Sequence, residues 1–353
     1  MLNITNWTEK LHANLIPWLL EPDDPGVRYL TLRDIVEADE KEIRAAKRKA
    51  HREGPIVRIL DNMAQEGYWI KPGPGYHPKF TSIVWSIISL AQLGASREED
   101  KRIDIACSYF LDHALVKGGQ FTPNGKVTDI GLCLQGNMLT SLLDLGCKDK
   151  RQDTAYEWMA RRITGEDLPH KINTDGLAPS DAVSGPFHYV EFITDPLFGC
   201  RTNEGLACAW AGVNVMMAFS RLPVERRSDL IKRAIEKGVD FFLNVDTAAA
   251  GFPGHRKGTP DPRWWQFGFP AFGGDMLRIA EAFTGLGFGS DPRLAKTLNV
   301  IRGKQNINGC WLYEYPNSLR YKMWVKYGET GQPNKWVTLR ALRVLKAAYS
   351  EPQ

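Results

Sequence analysis

The chain has 353 residues, 43% of them apolar and 24% charged, and 45 basic against 41 acidic side chains leave a net charge of +4 at pH 7. That is the composition of a soluble globular protein long enough to bury a large core, and so small a charge excess gives no reason to expect nucleic acid or an anionic membrane as a partner. No window reaches 18 consecutive apolar residues, so no spanning helix is expected, and the six cysteines (107, 133, 147, 200, 208, 310) form no Cys-x-x-Cys pair, so they do not read as a disulfide scaffold.

The first 26 residues, MLNITNWTEKLHANLIPWLLEPDDPG, lack a basic n-region followed by a long apolar core and a cleavage site, so the expected location is cytoplasmic. The run RAAKRKAHREG, from Arg44 to Gly54, reads as the solvated face of an early helix. Residues 1–65 are expected to be a helical extension of a single domain that spans 1–353. TSIVWSIISLAQLG then shows apolar residues at helical spacing and a stop at Gly94. REEDKRIDIACSYFLDHAL follows as an amphipathic, charged helix.

The same alternation recurs to the end of the chain. LCLQGNMLTSLLDLG is apolar on nearly all faces and stops at Gly146, and DKRQDTAYEWMARRI is amphipathic. ACAWAGVNVMMAFSRLP is apolar to Pro223, and ERRSDLIKRAIEKGVDFFLN is amphipathic. DMLRIAEAFTGLGFG is apolar to about Gly287, DPRLAKTLNVIRGKQ is amphipathic, and WVTLRALRVLKAAY closes the chain. Helices apolar all round are buried, and helices with one apolar stripe cover them. A helix pair repeated at about 50 residues is a helical array. With every apolar member inside, the expected fold is all-α, a closed α/α toroid of inner and outer helices. An open HEAT-type solenoid is the alternative, and its helices would be less unequal in polarity.

KQNINGCW, from Lys304 to Trp311, resembles the Gln-x-x-x-Gly-x-Trp element of the prenyltransferase and squalene-cyclase repeat superfamily, and GGQF at Gly118–Phe121 resembles a degenerate copy. The stretch from WWQFGFPAFGG through QPNKWVTLRALRVLK, together with EPDDPGVRYLTLRDI, is similar to bacterial proteins of that kind. The resemblance runs from about Tyr68 onward. It implies a terpenoid cyclase/prenyltransferase-like toroid that acts on an isoprenoid-like molecule. The chain lacks the Asp-x-Asp-Asp acid of squalene-type cyclases, and Asp23-Asp24 lacks the third member of a magnesium-binding Asp-Asp-x-x-Asp. No Asp-x-Cys zinc pair of protein prenyltransferases is present either. Fold is therefore implied more strongly than reaction.

In a toroid the inner helices run parallel, so their leading ends gather at one mouth. Ahead of the apolar helices stand His77, Lys79 and Trp85; Asp129, Cys133, Gln135 and Asn137; Cys200, Arg201, Asn203, Glu204 and Cys208; Trp264, Trp265, Phe269 and Asp275; and Asn334, Lys335 and Trp336. Polar groups on an apolar wall compose a small-molecule pocket. Asp129, His77 and His188 are the expected proton handlers, with His188 and Glu191 in a long segment suited to cover the mouth. Cys200 and Cys208 are the reactive-thiol candidates at a helix start. Trp85, Cys133, Gln135, Asn137, Asn203, Trp264, Trp265, Phe269 and Asp275 are the expected substrate contacts.

The plain readings are buried free cysteines for Cys133 and Cys208, helix N-caps for Asp275 and Asn334, and core corners for the paired tryptophans. Metal is not favoured, but Cys133, Cys200, Cys208 and His188 form a rival zinc set, because zinc accepts three cysteines and a histidine. The functional expectation is an enzyme with a central, largely apolar cavity that isomerises, dehydrates or cyclises a hydrophobic small molecule by acid–base chemistry. A carbohydrate-active lyase or hydrolase, a zinc-dependent transferase and a non-catalytic scaffold are the alternatives.

Overall fold

The computed structural model describes residues 7–125, 131–166, 197–200, 207–252, 260–316 and 321–350. Among them the α-helices are α1 (Ile16–Leu19), α2 (Pro25–Thr31), α3 (Glu40–Arg52), α4 (Pro55–Leu60), α5 (Ile83–Gln92), α6 (Lys101–Ala114) and α7 (Leu132–Asp144). They continue with α8 (Arg151–Thr164), α9 (Ala209–Arg221), α10 (Asp229–Leu243), α11 (Met276–Gly285), α12 (Ala295–Gly303) and α13 (Lys335–Tyr349). Strand pairing among the described residues is confined to isolated bridges.

The two helix types separate into two layers. α5 buries every residue but its last, and α7, α9 and α11 bury nearly as much. α10 buries only the stripe of Ile231, Ala234, Ile235, Gly238, Val239, Phe242 and Leu243, the spacing of one helix face. α2, α5, α7, α9, α11 and α13 therefore form the inner wall, and α3, α6, α8, α10 and α12 lie outside it. The neighbour relations close the wall. α5 packs on α7, α7 on α9, α9 on α11, α11 on α13 and α13 on α2, and Gly94, just past α5, lies against Leu30 and Tyr29 of α2. The fold is an α/α toroid.

Two devices recur. Gly94, Gly146 and Gly287 follow α5, α7 and α11 with φ of +80°, +81° and +92°, the left-handed cap that ends a helix without a Cβ clash. Indole N–H groups bond the backbone of the segment before them: Trp69 to Ile59 O at 2.7 Å, Trp264 to Thr247 O at 2.9 Å and Trp311 to Ile301 O at 2.7 Å. These three rings are fully buried, so tryptophan beside glycine marks the corners of the outer layer.

The segment 267–275 runs into the centre of the ring. Gln92 of α5 brackets Ala271, accepting from its N–H at 2.7 Å and donating to its C=O at 3.1 Å. Asn137 of α7 donates to Phe272 O at 3.0 Å, and Arg340 of α13 donates to Gly268 O at 2.8 Å. Phe269 stacks on Trp336 with centroids 4.5 Å apart. Bonds from three inner helices hold this plug, which separates the leading end of the ring from the trailing end.

Candidate functional site

At the leading end, the turn before α5 and the plug bring five rings together. Trp85 meets Tyr76, Phe80 and Phe272 at 5.3, 5.0 and 5.1 Å, and Phe80 stacks on Phe272 at 4.9 Å and meets Tyr321 edge-on at 5.3 Å. Such pairs add stabilisation beyond their buried area. The Trp85 indole donates to Tyr76 O at 2.8 Å, and the Trp324 indole to Ser86 Oγ at 3.0 Å. The Lys79 ammonium lies 5.9 Å from the Tyr76 centroid and 6.0 Å from that of Trp85, within cation–π range. Phe80 is held at φ +67°, a conformation that costs a non-glycine residue energy and that clusters at functional sites. His77 is exposed and edge-on to Tyr76 at 5.1 Å.

Three thiols adjoin this cluster. The bridge between Gly199 and Ala207, with Cys208 N–H donating to Phe198 O at 2.8 Å, sets Cys200 beside Cys208 at the start of α9. The two thiols are hydrogen-bonded to each other, and Cys133 at the start of α7 lies within their electrostatic reach. Burial, with Cys200 nearby, pushes the Cys133 thiol up to about 11. The hydrogen bond that Cys208 donates to Cys200, with burial, holds Cys208 far above the usual thiol range. Both stay protonated at neutral pH, because burial outweighs the help of a helix N-terminus. Burial likewise lifts the Tyr76 phenol well above its ordinary value. Among the described residues no three His, Cys, Asp or Glu side chains are grouped to hold a metal ion.

The remaining sequence candidates are placed elsewhere. Gln135 is spent inside the fold: its carbonyl accepts from Phe121 N–H at 2.8 Å and its amide donates to Gly119 O and Ala155 O. Trp264 packs between Phe242 and Phe252 in the outer layer, and Trp265 donates to Ala248 O at 2.8 Å. Asp275 caps α11 through Arg278 N–H at 2.6 Å, and Asn334 caps α13 through Val337 N–H at 3.0 Å. Asn137 and Phe269 belong to the plug and its supports. Asp129, His188, Glu191, Arg201, Asn203 and Glu204 lie outside the described residues.

The hollow of the ring lies at the other end. A cavity of about 400 Å³ is lined by residues of all six inner helices, including Arg221, Arg278, Glu281, Arg340 and Asp144. It is not the largely apolar chamber expected, because Asp144 of α7, Arg221 of α9, Arg278 and Glu281 of α11 and Arg340 and Arg343 of α13 all line it. Arg221 bridges Glu281 at 2.9 Å and Asp144 at 3.2 Å. Burial raises Glu281's carboxyl, but Arg221, Arg340, Arg278 and Arg343 together lower it further, so it lies below the usual range, whereas burial leaves Asp144 above it. Arg278 is pushed down to about 10 by burial. Only the charges within otherwise apolar windows, in MLRIAEAF and TLRALR, signal this chamber in the sequence.

No protein-family model matches the sequence, and no curated protein matches it. Among solved structures, the chain is similar to a glycosyl hydrolase family 88 protein from Bacteroides vulgatus, at 9% identity over 92% of this chain and 90% of that one, TM-score 0.45. It is similar to the type II terpene cyclase MstE from Scytonema at 13% identity over 86% and 97%, TM-score 0.30. It is also similar to a protein from Actinoplanes at 14% identity over 87% and 99%, TM-score 0.31. Likenesses this remote assign no family and no reaction.

Proposed function

We propose that the chain is an enzyme that takes a largely hydrophobic, isoprenoid-like small molecule into the aromatic mouth and isomerises, dehydrates or cyclises it by acid–base chemistry. The observation that supports this is the convergence of Tyr76, Phe80, Trp85, Phe272 and Tyr321 into one cluster, with the Lys79 ammonium 5.9 and 6.0 Å from the Tyr76 and Trp85 rings. Ring faces that attract one cation can stabilise positive charge developing on a hydrocarbon. In this reading Tyr76, kept protonated by burial, donates a hydrogen bond. His77 exchanges protons at the rim, Asp129 and His188 are the further proton handlers carried over from the sequence, and Cys133, Cys200 and Cys208 line the floor. No reaction step is assigned to a metal.

The test is a tryptophan-fluorescence titration with farnesol and, separately, with cellotetraose, followed by chromatography of the extracted ligand. Saturable farnesol binding that Phe272→Ala weakens tenfold or more, with conversion abolished in His77→Ala, is the expected outcome. Saturable binding of the oligosaccharide alone would replace this reading with a carbohydrate-active one. Binding of farnesol without conversion would leave a scaffold rather than an enzyme.

A further inference from the structure

A buried guanidinium without a counter-ion is costly, and the trailing cavity contains one. Arg278 is 4% exposed. Amide oxygens fix it: Nε donates to Asn214 Oδ1 and Nη2 to Asn137 Oδ1, both at 3.0 Å. Among the described residues no carboxylate lies within 4.0 Å of this guanidinium, and Nη1 has no hydrogen-bond acceptor. Neutral partners orient the fork and leave its charge unspent. Arg340 donates to Gly268 O at 2.8 Å, but no carboxylate engages it closely. Its nitrogens lie 3.4 and 3.5 Å from Asp275 and 3.9 Å from Glu281, long for charge-assisted contacts.

The surroundings point the same way. Five arginines but only three carboxylates line the cavity, and Asp275 behind Arg340 still leaves one positive charge over. Arg33 and Arg343 both pair with Asp34, and Arg221 with Asp144 and Glu281, which makes Arg278 and Arg340 the pair without close counter-ions. A volume of about 400 Å³ falls in the range of small-molecule sites. Access is past Arg33 and Arg221, whose side chains are 46% and 33% exposed. The plug bracketed by Gln92 and Asn137 separates this chamber from the aromatic mouth.

We propose that the cavity is a second binding site, for a small organic anion whose carboxylate or phosphate group seats on Arg278 and Arg340. The planar guanidinium fork matches both oxyanions, and seating one supplies the missing counter-charge. The site is separate from the mouth and stands or falls independently of what binds there.

Thermal unfolding of the full chain in inorganic phosphate, and separately in succinate, tests this against sodium chloride at matched ionic strength. A ligand that binds only the folded state raises the Tm saturably. The expected result is a saturable rise with at least one of the two anions and none with chloride, and a tenfold or greater loss of apparent affinity in Arg278→Gln. A response to phosphate alone or to succinate alone supports the site and identifies the head group. If Arg278→Gln does not fold, phenylglyoxal modification of the wild-type chain, mapped by mass spectrometry, decides. The bound anion should slow labelling of Arg278 and Arg340 several-fold and leave exposed Arg48 unchanged. No saturable rise with either anion, no protection, or an Arg278→Gln variant that binds as tightly as wild type would overturn the proposal.

Discussion

Gly136 lies where α7 and α9 touch. A Cβ added there would stand 2.4 Å from the carbonyl carbon and oxygen of Asn214 and 2.7 Å from the nitrogen of Val215. All three are backbone atoms of α9, so no side chain can rotate out of the way. Ordinary carbon contacts begin near ~3.5 Å, so α9 would have to retreat by roughly 1 Å. Overpacking of this kind costs about 1–3 kcal/mol, while replacing a mid-helix glycine by alanine returns up to about 1 kcal/mol of helix propensity. Because the contacts are with backbone, the cost lies in the upper part of that range, ~2–3 kcal/mol, so Gly136→Ala should lower stability by about 1–2 kcal/mol. Gly303→Ala is the control, because nothing lies within 4 Å of its added Cβ and only the propensity gain remains. Urea unfolding of the two variants separates the cases by sign. A Gly136→Ala variant as stable as wild type, or more so, would refute the close approach of α7 and α9 and the wall built on it.

Two further outcomes follow from single buried groups. His51 is 6% exposed, with Nδ1–H donating to Lys47 O at 2.8 Å and Nε2 accepting from Ser96 N–H at 2.9 Å. Both bonds need the neutral ring, and burial lowers its pKa, so the unfolded chain binds the proton more readily. This stabilisation is complete above about pH 6.5 and is lost as pH falls below it. Urea midpoints measured from pH 7 to pH 5 should fall less in His51→Leu than in wild type, and equal slopes would contradict the neutral assignment. The thiol of Cys107 hydrogen-bonds Cys147 and holds it down at about 7. Cys107→Ala, which removes the donor, should move the midpoint of Cys147 alkylation up toward the free-thiol value of about 8.5, read by mass spectrometry, and an unmoved midpoint would exclude the pairing.

The inner wall was legible wherever a helix was long enough to show its period. LCLQGNMLTSLLDLG and TSIVWSIISLAQLG coincide with α7 and α5 to within two or three residues, because an all-round apolar helix ended by glycine has few other readings. α2 was not legible as a sixth wall: seven residues opening on Pro25 make barely two turns. At the mouth, the parallel run of inner helices was enough to bring Cys133, Cys200 and Cys208 near one another. It could not say that Gln135 would be consumed by Phe121, Gly119 and Ala155, since those bonds come from residues distant in sequence. The tryptophans of WWQF gave no direction either, because adjacent positions leave open which ring faces the core. The arginine chamber was hidden for a different reason. Arg278, Glu281, Arg340 and Arg343 sit inside windows whose apolar average outweighs them, and only their spacing of three on one helix face hints at a charged axis.

The account rests on the leading ends of α7 and α9 meeting at one mouth. Dibromobimane, whose two arms fluoresce strongly only when both have captured thiols, tests this on the native chain when followed by peptide mapping. Crosslinks that join Cys133 to Cys200 or Cys208 are the predicted product. Labelling in which Cys133 is never joined to either cysteine, while Cys200 and Cys208 are joined to each other, would contradict it.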